Sequence, residues 1–168
     1  MNDFLYGGEV NNKKEPKDLF KIVDKTKEEI INLIKKQKQM IAYLHTKEDQ
    51  ELSKIIKEKV VGLSIFNEEE KEASYVEITE EEIVKDLKEI WENEEIKKIG
   101  INLSKVYILL KQIGIDLKGI NYDVSISSYI LNPSRNKLEI ENLMQEYLEI
   151  DLDEWIRRRA KTRANQSV

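Results

Sequence analysis

Two runs of β-type residues, Val60–Phe66 and Ala73–Ile78, lie between segments of helical periodicity, and they constrain the fold more than any other feature. The intervening Asn67–Glu72 is polar, so the two runs predict an antiparallel hairpin. Downstream of this hairpin, helical segments alternate with short β-like runs. This alternation predicts an α/β protein with helices packed on a mixed sheet, and it argues against a helical bundle.

Two capping boxes mark the starts of the first two predicted helices, at Thr26 with Glu29 and at Thr79 with Glu82. The charged segment Lys47–Lys59 is predicted to be helical at best. Further strands are predicted at Phe20–Asp24, Met40–Leu44, Ile96–Ile101 and Ile115–Ile120, and further helices from Asn102 to Gly114, over Asp123–Leu131, and after a cap formed by Asn136 and Glu139.

The chain of 168 residues has a net charge of −5, and its end is basic. Removing the five positive charges of this tail leaves about −10 on the remainder, which is a poor general surface for phosphate groups. The tail is a candidate for contact with nucleic acid, and a solvated chain end is the alternative. Its basic residues are Arg157, Arg158, Arg159, Lys161 and Arg163.

The sequence contains no apolar run that could span a bilayer, and residues 1–16 lack the apolar core of a signal peptide. We therefore expect a cytoplasmic protein without a membrane partner. Cysteine is absent, which excludes disulfides and thiolate metal sites. His45 is the only histidine, so neither a histidine-based triad nor a zinc cluster is expected.

The stretch from Lys97 to Asn132 carries a family resemblance, and it reads KKIGINLSKVYILLKQIGIDLKGINYDVSISSYILN. Ile99-Gly100-Ile101-Asn102-Leu103, Gly114-Ile115-Asp116-Leu117-Lys118-Gly119, Tyr122-Asp123 and Ser128-Tyr129-Ile130-Leu131-Asn132-Pro133 appear in this order. Their types and spacings resemble the proofreading 3'–5' exonuclease domain of bacterial DNA polymerase I, a family A polymerase. Weaker similarity extends over most of residues 20–150.

This resemblance implies a ribonuclease H-like fold, with a mixed sheet flanked by helices. It also implies three regions: a flexible lead-in or linker at residues 1–18, the exonuclease-like domain at 19–150, and a basic tail at 151–168. The family's third motif, Tyr-x-x-x-Asp, would lie beyond the last matched helix, so we expect the domain to be truncated at its C-terminal end.

The family hydrolyses DNA with two divalent ions, Mg²⁺ or Mn²⁺, held by carboxylates. The resemblance places an Asp-x-Glu pair of the first strand at Leu44 and Thr46, and the Asp of the second motif at Val106. None of these side chains can replace a metal-binding carboxylate. We therefore expect no metal cofactor and no catalytic residue in this chain.

Other acidic residues offer only weaker alternatives. Asp49 and Glu51 have the i, i+2 spacing of the missing pair, and Tyr147 with Asp151 has the spacing of the third motif. Asp123 is interpreted as a turn or helix-capping residue. Asn102 is interpreted chiefly as a helix cap and also as a candidate contact to DNA, together with Arg157, Arg158 and Arg159.

The favoured function is a catalytically inactive 3'–5' exonuclease-like domain of a bacterial DNA polymerase I-type protein, acting in DNA replication or repair. Such a domain would support a polymerase domain of the same parent protein and would bind DNA weakly if at all. One alternative is an active metal-dependent 3'–5' exonuclease that uses displaced carboxylates. The other is an acidic module that binds a protein partner.

Overall fold

The fold was analysed in a computed structural model, which describes residues 19–50, 55–134, 140–154 and 156–157. The chain divides into two compact units. One is Phe20–Asn136, and the other combines Met1–Leu19 with Lys137–Val168. The first unit contains the sheet and is therefore the part that positions the candidate site.

The first unit is built on a six-stranded mixed sheet in the order β1-β4-β3-β2-β5-β6. The central strands β2, β3 and β4 form an antiparallel meander, and β5 and β6 extend it in parallel on the β2 side. The short strand β1 pairs in parallel with β4 at the other edge. The strands are β1 (Lys21–Ile22), β2 (Gln39–Glu48), β3 (Glu58–Asn67), β4 (Glu72–Glu77), β5 (Lys97–Gly100) and β6 (Ile120–Asp123).

The sheet is accompanied by helices α1 to α5. Helix α1 is Lys27–Gln37, and α2 runs through Glu80–Glu82, a wider π-helical segment Ile83–Leu87, and Lys88–Glu92. Helix α3 is Leu103–Gln112, α4 is Val124–Leu131, and α5, in the second unit, is Ile140–Leu148. Both predicted capping boxes are present, at the starts of α1 and α2. None of the described helices combines the length and apolar character that a membrane span needs.

The core lies between one face of the sheet and helices α1, α2 and α3. Strands β2 and β3 point alternate side chains into it, because successive residues of a strand face opposite sides of the sheet. From the sheet come Met40, Leu44, Leu63 and Ile65, and from the helices come Ile30, Ile34, Leu87, Ile90, Trp91, Val106 and Leu110. Each fully buried aliphatic side chain contributes about 1.5–3 kcal/mol to stability.

The structure confirms the α/β class, the hairpin and the helices, and it corrects the segment Lys47–Lys59. This segment was expected to be helical at best, but Lys47 and Glu48 end β2, and Glu58 and Lys59 begin β3. Cross-strand pairing overrides the low β propensity of these charged residues, since Lys47 pairs with Lys59 and Glu48 with Glu58. The cap predicted at Asn136 and Glu139 lies outside the described residues.

Two edge strands also differ from the sequence prediction. The run Ile115–Ile120 is not a strand over most of its length, because β6 begins only at Ile120 and continues to Asp123. Gly119, with a φ of 69°, makes the turn that brings the chain into register with β5. The first strand is limited to Lys21–Ile22, which pair in parallel with Glu72 and Ala73 at the start of β4.

Candidate functional site

The three positions predicted to correspond to the family's metal ligands come together on the core face of the sheet. Leu44 and Thr46 lie two residues apart on β2, and Val106 lies on α3. Leu44 and Val106 are both buried members of the same hydrophobic cluster. The hydrocarbon side chains of Leu44 and Val106 therefore occupy part of the place where the resemblance implies metal-binding carboxylates.

Thr46 belongs to a polar cluster that the sequence did not reveal. Its hydroxyl donates a hydrogen bond to Glu58 Oε2 on β3. The same carboxylate pairs with Lys105 of α3, whose Nζ lies 2.9 Å from Oε1 and 2.7 Å from Oε2. The bonds from Lys105 and then from Thr46 hold the pKa of Glu58 below its usual value. We call these three residues the Thr46–Glu58–Lys105 cluster.

A two-metal centre does not fit this set of side chains. Leu44 and Val106 offer no donor atom, the Thr46 hydroxyl is committed to Glu58, and the Glu58 carboxylate already carries an ammonium group. Magnesium and manganese bind through oxygen ligands, chiefly carboxylates. Within the described ranges, no group of three or more histidine, aspartate or glutamate side chains is placed to hold a metal ion.

Glu48 is a second carboxylate that sequence reasoning missed. It is opposite Glu58 in the antiparallel register of β2 and β3, and it follows Thr46 by two residues on the same face. No local signal could have revealed it, because Lys47 and Glu48 have low β propensity and join β2 only through pairing with β3. Glu48 and Glu58 are therefore the carboxylates nearest to the predicted metal-ligand positions on this pair of strands.

Asp123 is a buried helix cap, as its sequence context predicted. Its carboxylate accepts a hydrogen bond from Ser125 N at 2.8 Å, which caps α4. It also accepts bonds from Asn102 N at 3.1 Å and Leu103 N at 2.7 Å, at the start of α3. One carboxylate thus serves two helix N-termini, where backbone N–H groups lack partners within the helix.

Asn102 begins helix α3 but does not cap it with its side chain, which corrects the sequence interpretation. Its backbone is left-handed, with a φ of 53°, and its side chain makes no capping bond. The side-chain oxygen instead accepts a bond from Ser104 Oγ at 3.1 Å. Asp123, twenty residues beyond Leu103 in sequence, supplies the cap because tertiary packing brings it there.

The remaining candidates are dispersed. Asp49 forms an ion pair with Lys59 at 3.3 Å, and Glu51 lies outside the described residues. In the second unit, Asp151 accepts a bond from Glu154 N at 2.9 Å, so it caps a short helical turn. Arg157 Nε donates to Asp153 O at 3.2 Å, whereas Arg158 and Arg159 lie outside the described part of the chain.

His45 faces the opposite side of the sheet from Leu44. Its Nε2 is hydrogen-bonded to Ser64 Oγ at 2.7 Å, and its ring contacts Tyr43 and Tyr75 edge to face. Burial lowers the pKa of the imidazole from its usual value. The histidine is therefore a structural member of an aromatic cluster on that side.

Solved structures share this fold at low sequence identity. The POL domain of Pol1 from M. smegmatis, in complex with DNA primer-template and dNTP, gives a TM-score of 0.62 at 14% identity, covering 79% of this chain and 23% of that chain. Trypanosoma brucei RNase D in complex with GMP gives 0.61 at 13% identity, covering 83% of this chain and 44% of that chain. The chain thus spans less than half of either structure.

A family model described as the ribonuclease H-like domain of DNA polymerase I matches residues 49–156. The match begins after Thr46, and it includes Glu58, Lys105, Val106 and Asp123. It agrees with the mixed six-stranded sheet and with the solved structures of similar fold. Because it covers more than half of the 168 residues, the chain belongs to the DNA polymerase I ribonuclease H-like domain family.

Proposed function

We propose that this chain is the 3'–5' exonuclease-like domain of a bacterial DNA polymerase I-type protein and that it does not hydrolyse DNA. It supports a polymerase domain of the same parent protein in DNA replication or repair, in the cytoplasm. We assign the exonuclease-like domain to residues 19–150, between a lead-in at 1–18 and a basic tail at 151–168.

One observation carries the proposal. The positions assigned to the family's metal ligands are Leu44, Thr46 and Val106, and the nearest carboxylate, Glu58, is bound to Lys105 at 2.7 Å. Two-metal hydrolysis requires ions about 4 Å apart, held by several carboxylates. An ammonium group at this place supplies positive charge, but it cannot ionise a bound water or accept a leaving oxygen as a ligand.

The polymerase partner is inferred from the family. The similar Pol1 structure contains a DNA primer-template, and the matched part is 23% of that chain. The remainder of such a protein provides the polymerase activity that this domain would accompany. DNA contact by the present chain would be weak, with Asn102, Arg157, Arg158 and Arg159 as the residues proposed to make it.

The decisive experiment is digestion of a 3'-labelled single-stranded oligonucleotide in the presence of Mg²⁺ or Mn²⁺. We expect no shortening beyond that seen with a chelator. An active proofreading polymerase, assayed in parallel, establishes that the conditions support 3'–5' cleavage. Metal-dependent shortening from the 3' end by the purified chain would overturn the proposal.

A second candidate function, an active exonuclease with displaced carboxylates, is favoured by the opposed pair Glu48 and Glu58. If cleavage is observed, Glu58→Gln and Glu48→Gln should each abolish it. Asp49→Asn serves as the matched control, because Asp49 pairs with Lys59 rather than with the cluster. Activity retained in both glutamine variants would exclude this pair as the metal ligands.

A further inference from the structure

The face of the sheet opposite the helical core is largely apolar, and its aliphatic centre is half-buried whereas its tyrosines are exposed. Cross-strand pairing aligns a row of residues across all six strands, and a second row lies beside it on β4, β3 and β2. The first row is Ile22, Ala73, Phe66, Ile41, Ile99 and Tyr122, and the second is Tyr75, Ser64 and Tyr43. We call this surface the open sheet face.

Three tyrosines on the open sheet face are strongly exposed. Tyr43 is 45%, Tyr75 48% and Tyr122 49% accessible. Helices α1, α2 and α3 share one core on the other face of the sheet, and antiparallel strands such as β2, β3 and β4 commonly have one face in contact with solvent. A contiguous apolar surface with several large exposed side chains indicates a binding site, whereas apolar residues scattered singly over a surface do not.

Two of these tyrosines, Tyr43 and Tyr75, are held in place by contacts with His45. The His45 ring lies edge to face with each of them, at centroid distances of 4.8 Å to Tyr43 and 5.2 Å to Tyr75. His45 is itself fixed by its hydrogen bond to Ser64. The end of the Tyr75 ring extends over Gly62, where an added Cβ would lie 2.4 Å from Tyr75 Cε2 and Oη. Glycine at this position therefore allows the ring to lie against the strand.

Basic residues outnumber acidic residues on the open sheet face, whereas the chain as a whole has a net negative charge. Lys47 and Lys59 are directly opposite one another on β2 and β3, in line with Tyr43 and His45. Like charges in opposed cross-strand positions repel. Lys59 also pairs with Asp49 at 3.3 Å, which offsets part of this repulsion. Lys97 on β5 lies on the same face, and Glu77 on β4 is an acidic residue there in addition to Asp49.

We propose that the open sheet face binds single-stranded nucleic acid, with bases stacked on Tyr43 and Tyr75 and phosphates directed to Lys47 and Lys59. The site is separate from the predicted metal-ligand positions, which lie on the other side of the sheet. It therefore adds a binding function to a domain proposed to lack hydrolysis. It holds whether or not the Thr46–Glu58–Lys105 cluster is inactive.

The geometry fits two separate bases. Tyr43 and Tyr75 lie on strands that flank β3, so they are about 10 Å apart across the sheet. This separation exceeds the spacing of a single stack and suits two bases splayed onto two rings. Base stacking on aromatic side chains accepts any sequence, and lysines nearby draw the phosphates. A peptide ligand would not need a pair of opposed lysines.

The test is fluorescence anisotropy with labelled oligouridylate and oligodeoxyuridylate at low salt, in a chelator so that no hydrolysis can occur. Tyr43→Ala and Tyr75→Ala should each weaken binding by about tenfold, while Tyr43→Phe and Tyr75→Phe should bind as the unmodified chain does. Tyr107→Ala is the matched control, because Tyr107 is an exposed tyrosine on α3. Circular dichroism checks that each variant is folded.

Two further variants examine the supporting features. Gly62→Ala should weaken binding as much as Tyr75→Ala does, because it displaces the ring. Lys47→Ala should lower the slope of log affinity against log salt by about one. Equal affinity for oligouridylate and oligodeoxyuridylate, which differ only in the 2'-hydroxyl, would assign the site to single-stranded nucleic acid in general, and a preference for one would identify the ligand as RNA or DNA.

Absence of binding by the unmodified chain, or binding by both alanine variants as tight as that of the unmodified chain, would overturn the proposal. Self-association that Tyr43→Ala and Tyr75→Ala abolish, without any affinity for the oligonucleotides, would also overturn it and would identify the face as a protein interface. The nuclease assay of the proposed function is independent of these results, because it measures cleavage rather than binding.

Discussion

Asp123 links two helix starts through a single buried carboxylate. Three backbone N–H groups, from Asn102, Leu103 and Ser125, donate to it. We expect Asp123→Ala to lower the free energy of unfolding by about 2–3 kcal/mol, because those donors would be left without an acceptor. Urea denaturation followed by circular dichroism measures this loss.

Asp116→Ala is the control for that measurement, because Asp116 is an exposed residue that pairs with Lys111. A surface ion pair of this kind contributes about 0–1 kcal/mol. A loss for Asp123→Ala no larger than for Asp116→Ala would contradict the capping role assigned to Asp123.

The free-energy cost of burying Lys98 depends on pH. The residue is 1% exposed, its Nζ donates to Asn93 O at 2.5 Å, and burial lowers its pKa to about 8. Between about pH 8 and the ordinary value of 10.5, the unfolded state binds more protons than the folded state. The free energy of unfolding therefore rises with pH in this window, by up to about 3 kcal/mol, and is flat below it.

Lys98→Met isolates this contribution, because methionine has similar length and no charge. The difference in stability between the unmodified chain and the variant should shift in favour of lysine as the pH rises from 8 to 10. Denaturation at a series of pH values measures the difference. A difference that stays constant across this range would show that the ammonium group is not desolvated in the fold.

At the scale of elements, the Thr46–Glu58–Lys105 cluster joins β2, β3 and α3. Glu58 and Lys105 belong to elements that are far apart in sequence, so their ion pair closes a long loop. In a double-mutant cycle with Glu58→Gln and Lys105→Met, we expect a coupling energy of about 1 kcal/mol, because both side chains are partly exposed. Thermal or urea unfolding of the four proteins provides the cycle.

The coupling energy between Glu58 and Lys105 should also be lost in acid. The pKa of Glu58 is lowered in the folded state, so its contribution is complete above the ordinary value of 4.5 and disappears as the pH falls through the folded-state pKa. Replacing Lys59 and Asp49 in a parallel cycle provides a comparison on the other face. Coupling between Glu58 and Lys105 that is zero at neutral pH would argue that the cluster is not a stabilising link.

At the scale of the whole molecule, stability should not depend on divalent metal. A ligand that binds the folded state raises its stability in proportion to the logarithm of ligand concentration. Because Lys105 already occupies the carboxylate of Glu58, we expect the melting temperature to be the same in Mg²⁺, Mn²⁺ and chelator. Differential scanning calorimetry is the direct measurement.

Lys105→Met is the informative comparison, since it frees the Glu58 carboxylate beside Glu48. Stabilisation of this variant by Mn²⁺, without any effect on the unmodified chain, would identify the ammonium group as the substitute for a cation. A melting temperature of the unmodified chain that rises with Mn²⁺ would contradict the proposal of a metal-free domain.

The sequence by itself determined much of the local architecture. The capping boxes at Thr26 and Thr79, the hairpin, and the helix that starts after Asp123 were predicted correctly, as was the fold class. These features depend on interactions between residues that are close in the chain, where cap chemistry and apolar periodicity act directly. The family resemblance likewise rested on a continuous stretch, Lys97 to Asn132.

Only the tertiary structure decided what surrounds the predicted metal-ligand positions and what lies on each face of the sheet. Pairing with β3 extended β2 through Lys47 and Glu48, and it placed Glu58 beside Thr46, twelve residues away in sequence. Lys105 reaches Glu58 from 47 residues away. Such contacts arise when strands and helices pack, because cross-strand register and helix docking join residues that local patterns cannot connect.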